Sequence, residues 1–384
     1  MFYKKFIVYI ITASEFLACW SAMAQGFDYS KPITAMNETL SFGGGAAGNA
    51  NSKSSDIQIS YALSALGHYA GSEANKSIFN DYSNAQLLLK EQIGAFGYFV
   101  QIGNYSIPNL AEPIASASVT TSGYGVIPHA YLSYLFNSEW TLLAGKLLSM
   151  PGYENPFTFQ NQNIQRGILE RHNNTISRGM QLNYKAEGKS FFVSINDGFY
   201  SGTYSWLGVG GSYQQNTDNI TSVSWGGSTR VNYASTSVTP ILQNNSQILN
   251  ISHNITNQNW SITPYYQLTV VPSNAATRLS ERLTTQGFAT IVNYQYPRKL
   301  DSLGRIWKFN LPLRLENLKS SPPANFASSD ITSFVNARSA TVTPTFQSDA
   351  YFLRTEISYT KSTNSDFYKT SNARRLLIEL GILH

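Results

Sequence analysis

Residues 306–316 read Ile-Trp-Lys-Phe-Asn-Leu-Pro-Leu-Arg-Leu-Glu, and apolar and polar side chains alternate along them. The apolar side chains stand at every second position: Trp307, Phe309, Leu311, Leu313 and Leu315. The positions between them are mostly polar: Lys308, Asn310, Arg314 and Glu316. A β-strand directs successive side chains to opposite faces, so this strand has one apolar face and one charged face. A chain that repeats the pattern fits the wall of a membrane β-barrel, with lipid outside and water inside.

The same alternation recurs along most of the chain. It is seen at 96–103, 130–134, 180–185, 191–196, 262–270, 288–296, 351–359 and 376–382. Four longer polar stretches are predicted to be loops: 148–173, 214–246, 271–284 and 318–348. Short turns that alternate with long loops are typical of the two ends of an outer-membrane barrel. At roughly 24 residues for each strand and its share of turns, about 360 mature residues predict about 14 strands, within a range of about 12–16.

The predicted fold class is therefore all-β, with a single antiparallel transmembrane β-barrel. The alternative for the same pattern is a soluble antiparallel sandwich with one buried and one wet face. Two features favour the barrel. Tyr and Phe cluster near the predicted strand ends, where a membrane-interface girdle needs them. The polar faces also carry opposite charges that can pair across a lumen, such as Arg354 and Glu356.

The N-terminus predicts a secretory signal peptide over residues 1–24. A basic start, an apolar run and the small residues around Met23 precede a cleavage site predicted between Ala24 and Gln25. A lipoprotein signal centred on Cys19 and an uncleaved N-terminal membrane helix are the alternatives, but the apolar run is short for a span of about 20 residues. The expected organisation is completed by a flexible Gly-rich segment over 25–55 and the barrel over 56–384.

Composition excludes several other classes of protein. Cys19 is the only cysteine and lies within the predicted signal, so the mature chain has no disulfide chemistry. Lys and Arg are scattered, which gives no support for nucleic-acid binding. The five histidines have no metal-ligand spacing, and no phosphate-binding loop or nucleophile elbow is present. We therefore expect no cofactor, no metal and no enzyme; a phospholipase-type site at Ser252-His253 is the weaker alternative.

Two features near the C-terminus bear on the barrel. Leu376, Ile378, Leu380 and Ile382 form one stripe that ends at His384, in the position where outer-membrane barrels commonly have a terminal Phe or Trp. Such a stripe is the signal that the barrel-assembly machinery adds edge-on to a growing sheet. Pro312 lies within the alternating strand, and because proline cannot donate to the ladder we predict a bulge or bend there.

A block of motifs resembles a known family. His129–Leu135 leads to a Leu-Ala-Gly-Lys-Leu strand, then to Pro151-Gly152-Tyr153-Glu154-Asn155, Ile176-Ser177-Arg178-Gly179, Asn196-Asp197-Gly198 and Trp206-Leu207-Gly208-Val209-Gly210. The order of these motifs resembles the OmpL-like putative β-barrel porin family over about residues 120–215, and the rest of the chain is similar in architecture. The resemblance implies a channel for small solutes in the outer membrane of a Gram-negative bacterium.

Selectivity in such channels comes from charges at a constriction that an infolded loop usually sets. The stretch 148–173 is the predicted loop, with Phe157 and Phe159 as anchors. The pore-lining candidates are the following charged residues: Glu154, Arg166, Glu170, Arg171, Arg178, Lys308, Arg314, Glu316, Arg354 and Glu356. Their positive surplus predicts a mild preference for anions. An ordinary extracellular loop with solvated charges is the alternative.

The expected partners are outer-membrane lipid, the barrel-assembly machinery and small solutes, with a possible homotrimer. A second class of function fits the long polar segments equally well. The barrel could be a non-conducting adhesin whose loops bind another cell, and single-channel conductance separates the two.

Overall fold

The computed structural model describes residues 57–71, 76–110, 112–149, 151–216, 218–236, 238–296, 299–300, 306–321, 336–348, 351–363 and 372–383. The strand segments along them are β1 (Gln58–Gly71), β2 (Lys76–Ile93), β3 (Phe96–Tyr105), β4 (His129–Leu135), β5 (Trp140–Leu148), β6 (Ile176–Ala186), β7 (Lys189–Asn196), β8 (Trp206–Asn216), β9 (Asn219–Ser228), β10 (Gln247–Asn257), β11 (Trp260–Val271), β12 (Leu283–Gln295), β13 (Lys299–Leu300), β14 (Ile306–Ser321), β15 (Asn336–Val342), β16 (Thr345–Ser348), β17 (Tyr351–Thr363) and β18 (Asn372–Leu383). The helices are α1 (Ala117–Tyr124) and α2 (Ile241–Asn244), with 3₁₀ turns at Thr158–Gln160 and Leu169–His172.

The sheet closes on itself. Every strand pairs antiparallel with its neighbour along the chain, and β18 pairs with β1 from Ala62–Leu383 to Gly71–Arg374. The short segment β13 follows β12 and pairs with β14, as β12 does. The segments β15 and β16 both lie between β14 and β17. The segments therefore make a closed barrel of 16 antiparallel strands and confirm the predicted fold class.

Burial in the wall is inverted relative to a soluble sandwich. On β14, Leu313 and Leu315 are 38% and 48% exposed, whereas Arg314 is fully buried and Glu316 is 5% exposed. The final strand repeats this arrangement, with an exposed Leu380 beside a buried Glu379. Apolar side chains on the outside and charged ones on the inside suit a wall with lipid outside and a polar interior. The predicted faces of these strands are therefore confirmed.

Sixteen strands lie at the upper end of the predicted range, because two predicted loops contain strands. The segment β9 lies within 214–246, and β15 and β16 lie within 318–348. Both regions are rich in Ser and Thr, which weakens the contrast between the two faces. Pairing with neighbouring strands makes them strands, since the backbone of a barrel in lipid must satisfy its hydrogen bonds within the sheet.

The structure has no bulge at Pro312, where a bulge or a bend was predicted. Pairing is interrupted next to Pro312, but the register is the same on both sides of the gap, with Asn310 opposite Thr345 and Leu313 opposite Val342. The facing strand breaks here because it has its own proline, Pro344, between β15 and β16. Pro312 and Pro344 lie in the same short gap between β14 and its facing strand. The two backbone positions that lack an N–H donor are therefore together at one place in this pair of strands.

The two ends of the barrel differ. Turns of a few residues join β2 to β3, β4 to β5, β6 to β7, β8 to β9 and β10 to β11, and this end is called the short-turn end. The connections at the opposite end, the loop end, include 106–128, 149–175 and 229–246. Outward-facing aromatic pairs follow one another around the short-turn end, with ring centroids 4.5–4.9 Å apart: Phe96–Tyr134, Trp140–Tyr184, Trp260–Tyr294, Tyr296–Phe309 and Phe309–Phe346. They form the aromatic girdle expected at a membrane interface.

Among the described residues, none of the helices has the length and hydropathy needed to cross a membrane. The predicted signal peptide over 1–24, the Gly-rich segment over 25–55 and the terminal His384 lie outside the described residues.

Candidate functional site

The connection between β5 and β6 lies inside the barrel. Its described residues, 151–175, are called the inner loop. Nearly all of them are buried, including Phe157 and Ile168 with no exposed surface. The loop is buried because it contacts inward-facing side chains of the wall, and these contacts fall into two charged clusters and three apolar ones.

Arg314 is the centre of the first charged cluster. Its Nη1 lies 2.5 Å from Oε1 of Glu154 on the inner loop, and its Nε lies 3.2 Å from Oε2 of Glu316 on its own strand. The same Nη1 donates to the carbonyl of Gln165 at 2.8 Å. Glu154 in turn accepts from the backbone N–H of Gly167 at 2.6 Å. One buried wall arginine thus ties two separate parts of the inner loop to β14.

Two wall carboxylates hold the loop backbone directly. Glu356 accepts from the N–H groups of Ile164 and Gln165, at 2.6 Å and 3.2 Å. Glu316 accepts from the hydroxyl of Ser339 at 2.5 Å, and its other oxygen lies 3.5 Å from the N–H of Leu169. Backbone N–H groups directed at a carboxylate are the stronger, charge-assisted kind of hydrogen bond. The loop is therefore bound through its main chain as well as its side chains.

The second charged cluster joins the inner loop to the seam where the barrel closes. Arg354 on β17 makes an ion pair with Glu379 on β18, with its Nε 3.0 Å from Oε2, and donates from Nη1 to the carbonyl of Asn161 at 2.9 Å. The other oxygen of Glu379 accepts from Thr158 of the loop at 2.6 Å and from Ser83 of β2 at 2.5 Å. A single carboxylate thus connects three wall strands and the loop.

The remaining charged candidates on the loop brace it internally or against its neighbour. Arg166 pairs with Glu170 at 3.1 Å, and Glu170 also accepts from the N–H of Tyr153 at 2.7 Å. Arg171 pairs at 2.6 Å with Glu112, which lies on the connection between β3 and β4. The same connection also bonds to the backbone of the inner loop, where the N–H of Leu110 donates to the carbonyl of Arg166 at 2.9 Å.

Apolar side chains of the loop fill hollows in the inner wall. Phe157 and Phe159 pack with Tyr105, Phe352 and Leu383. A second group joins the loop to the opposite run of strands: Tyr153, Ile168 and Leu169 with Tyr265, Ala289, Ile291, Leu318 and Ala337. Ile164 packs against Leu66 and Leu377. These contacts bury apolar surface that would otherwise face a polar lumen, which favours the docked position of the loop.

Away from these clusters, much of the inner wall is neutral. The inward positions of β7, β9 and β10 carry small polar side chains: Ser194, Asn196, Ser222, Ser224, Asn250, Ser252 and Asn254. All of these side chains are also buried. The inner loop and the wall side chains therefore occupy much of the lumen in this conformation.

Two candidates lie apart from the clusters. Lys308 is half-buried on the inner face of β14, near the short-turn end, opposite Gln347. Arg178 lies at the loop end of β6, pairs with Asp197 at 2.7 Å and covers the ring of Tyr200 at 4.0 Å. Its side chain is 37% exposed and, by strand alternation, shares a face with the exposed Met180.

The structure thus brings Glu154, Gln165, Arg314, Glu316 and Glu356 together. The wall residues of this group lie beneath the loop, where they have partners and little or no solvent contact, and so does Arg354. They are Arg314, Glu316 and Glu356. Sequence reasoning omitted Glu379, Glu112 and Asp197 from the site. Glu379 had a signal, because the alternation on the last strand directs it inward. Its pairing with Arg354 depends on the register of β17 against β18. Glu112 and Asp197 lie in loops and had no such signal.

Burial changes the pKa of two groups on the inner loop. It raises the pKa of Glu154 to about 7, an effect that Arg314 opposes and that nearby Glu170 and Glu316 reinforce. Burial, together with the neighbouring Arg171, lowers the pKa of His172 to about 3. Acid therefore opposes docking of the loop through His172 as pH falls below about 6.5, and favours docking through Glu154. Among the described residues, no group of three or more His, Cys, Asp or Glu is arranged to hold a metal ion.

The barrel, its inward charges and its infolded loop agree with a comparison against protein families. The model of the family described as "Putative beta-barrel porin-2, OmpL-like" matches residues 40–383. This chain belongs to that family. Membership and the barrel fold assign the protein to the outer membrane as a porin-like barrel. A search of the curated proteins found no match to the sequence.

Solved structures show the same fold at low sequence identity. OmpF of Salmonella typhi, described in complex with daunomycin, is 10% identical with a TM-score of 0.54, covering 86% of this chain and 98% of that one. The outer-membrane channel DcaP of Acinetobacter baumannii is 12% identical with a TM-score of 0.53, covering 85% and 97%. A loop-deletion mutant of OmpT, an outer-membrane protein of Vibrio cholerae, is 11% identical with a TM-score of 0.51, covering 86% and 100%.

Proposed function

We propose that this protein is a channel for passive diffusion of small hydrophilic solutes across the outer membrane. The observation that carries the proposal is the inner loop, which wall side chains hold in the lumen at two charged clusters. A loop fixed in this way narrows a barrel to a defined passage, and the passage then limits solutes by size. The candidate charges within these two clusters contribute to this function by holding the loop.

The finer part of the proposal is a mild preference for anions. Lys90 and Lys308 lie on the inner face near the short-turn end, where positive groups raise the local concentration of anions. We therefore expect a weak selectivity rather than a strong one.

Planar bilayers test both parts of the proposal. Stepwise single-channel openings are expected from the purified protein, and a salt gradient should give a reversal potential with a small anion preference. A reversal potential of the opposite sign would contradict the proposed anion preference but not the proposed channel function. Lys308→Gln should shift the reversal potential towards cations, whereas Arg230→Gln, in an exposed loop, should leave it unchanged.

A non-conducting adhesin is the second candidate function. The observation that favours it is the burial of inward side chains on β7, β9 and β10, which indicates a well-filled lumen. Absence of any stepwise current from correctly folded protein, shown by heat-modifiable migration on a gel, would favour this candidate over the channel. Binding of the protein to cells, lost on deletion of residues 229–246, would then support an adhesin directly.

Three further predictions belong with this proposal. Cleavage of the signal peptide between Ala24 and Gln25 should appear in the intact mass of the mature protein. Dependence on the barrel-assembly machinery should appear as loss of the protein from outer-membrane fractions when the machinery is depleted. A homotrimer should appear on cross-linking as a band of three times the monomer mass.

A further inference from the structure

Four exposed cations lie together on the outside of the barrel at the loop end. They are Lys319 on β14, Arg338 on β15, Lys361 on β17 and Arg374 on β18, and they are called the basic patch. Each alternates with buried inward residues and lies in line with exposed apolar side chains of its own strand, as Arg374 does with Leu376. The patch therefore faces the surroundings of the barrel and not its lumen.

The strand register makes the patch continuous. Arg338 lies directly opposite Lys361 in the pairing of β15 with β17. On β14 the partner of Arg338 is Asn317, which is two residues from Lys319. On β18 the partner of Lys361 is Asn372, which is two residues from Arg374. Direct cross-strand neighbours lie about 5 Å apart and diagonal ones about 7–8 Å apart, and like charges at such distances repel. Four cations in this arrangement attract an anion that can lie between them.

Among the described residues of β14, β15, β17 and β18, no outward carboxylate offsets the patch. On the described parts of β14, β15, β17 and β18, every other outward side chain is apolar or neutral polar. The polar neighbours are mainly amides, such as Asn317, which accepts a hydrogen bond from Arg338 at 3.2 Å. The positive charge of the patch is therefore directed outward.

The depth of the patch follows from the aromatic girdle. Tyr351 lies at the short-turn end of β17, and Lys361 lies ten residues further along the same strand. Ten residues rise about 33 Å along a strand. A strand tilt of about 40° reduces this to about 25 Å along the membrane normal, which is the height of the apolar band of such barrels. The basic patch thus lies at the level of the lipid headgroups in the leaflet on the loop side.

We propose that the basic patch binds the phosphate groups of anionic lipids in that leaflet. The acyl chains of a bound lipid lie along the apolar stripes directly below the patch, which include Leu315, Ile357 and Leu376. Lipid headgroups are the anions present at this depth, and a Lys or Arg at a membrane surface strengthens binding of an anionic lipid about fivefold. Lipid binding at the basic patch does not require the barrel to conduct, so it can be tested independently of the proposed channel function.

Native mass spectrometry of the full-length protein tests the proposal. Protein in a neutral detergent is titrated with phosphatidylglycerol or with phosphatidylcholine of the same acyl chains. We expect the wild type to retain phosphatidylglycerol in preference to phosphatidylcholine. Arg338→Gln/Lys361→Gln should weaken retention of phosphatidylglycerol about 25-fold, and the charge-conserving Arg338→Lys/Lys361→Arg should keep it.

The matched control removes two cations at the other end of the barrel. Lys185→Gln/Lys189→Gln makes the same change in net charge near the short-turn end and should leave the preference unchanged. Heat-modifiable gel migration establishes that each variant is folded, and the charge-conserving variant reports on the patch if the glutamine variant fails to fold. Equal retention of the two lipids by the wild type, an equal loss in the control, or capture of a second copy of this chain by the patch would overturn the proposal.

Discussion

Replacement of Arg314 by methionine tests whether the inner loop is held by its ion pairs. Arg314 has no exposed surface and lies within ion-pair distance of both Glu154 and Glu316. Methionine keeps much of the side-chain volume but removes the charge and the donor to the carbonyl of Gln165. The variant therefore leaves two buried carboxylates and one carbonyl without their partner.

The expected magnitude follows from that geometry. Breaking a buried ion pair by removing one partner costs about 3–5 kcal/mol, because the other charge stays buried and uncompensated. At about 1.4 kcal/mol per factor of ten, the ratio of docked to undocked loop should fall about 150- to 4,000-fold. Because burial already raises the pKa of Glu154 to about 7, its protonation should soften the effect as pH falls below neutral.

Single-channel recording measures the consequence. The Arg314→Met channel should show larger current noise or a shifted conductance, since an undocked loop no longer fixes the width of the passage. Arg230→Met removes an exposed loop arginine and should behave as the wild type does. Adding Glu154→Gln to Arg314→Met should return the conductance and current noise part of the way to the wild-type values, because one of the two unpaired buried carboxylates is removed. If Arg314→Met is folded and its current is indistinguishable from wild type in conductance and noise, the inner loop is not held as we argue.

The other predictions concern the same loop and the barrel seam. Because burial keeps His172 neutral, the contribution of His172 to docking should weaken by about 1.4 kcal/mol for each pH unit below about 6.5, and protonation of Glu154 offsets this at mildly acidic pH. His172→Gln should lower the current noise in acid relative to the wild type, and equal noise in the two proteins would contradict this. Gly167→Ala would bring a Cβ to 2.1 Å from Oε1 of Glu316, so it should undock the loop at a cost of about 1–3 kcal/mol, seen as protease cleavage within 151–175. Glu379→Gln leaves the buried Arg354 without the carboxylate it pairs with and should lower the temperature of the heat-induced gel shift; an unchanged temperature would show that this pair does not stabilise the barrel.

Sequence predicted the fold class here because alternation is a local property. The face of the strand on which Leu313, Arg314 and Leu315 lie follows from their positions in the sequence alone, whatever the neighbouring strands are. Strand number was less well predicted, since β9 and β15 show little contrast between an apolar and a polar face and become strands through pairing. The absence of a bulge at Pro312 was also not predictable from the local pattern. It depends on the break in the facing strand at Pro344, which lies in a different part of the chain.

The sequence by itself determined that this chain forms a barrel wall, that the charges of Arg314, Glu316, Arg354 and Glu356 point inward, and that 148–173 is a long loop rich in charge. The tertiary structure alone decided what those charges contact. Arg314 meets Glu154 across 160 residues of chain, and Arg354 meets Glu379 only because β17 and β18 are paired. The physical reason is that the period of a strand fixes the direction of a side chain, whereas its partner depends on closure of the barrel and on how the loop folds into it.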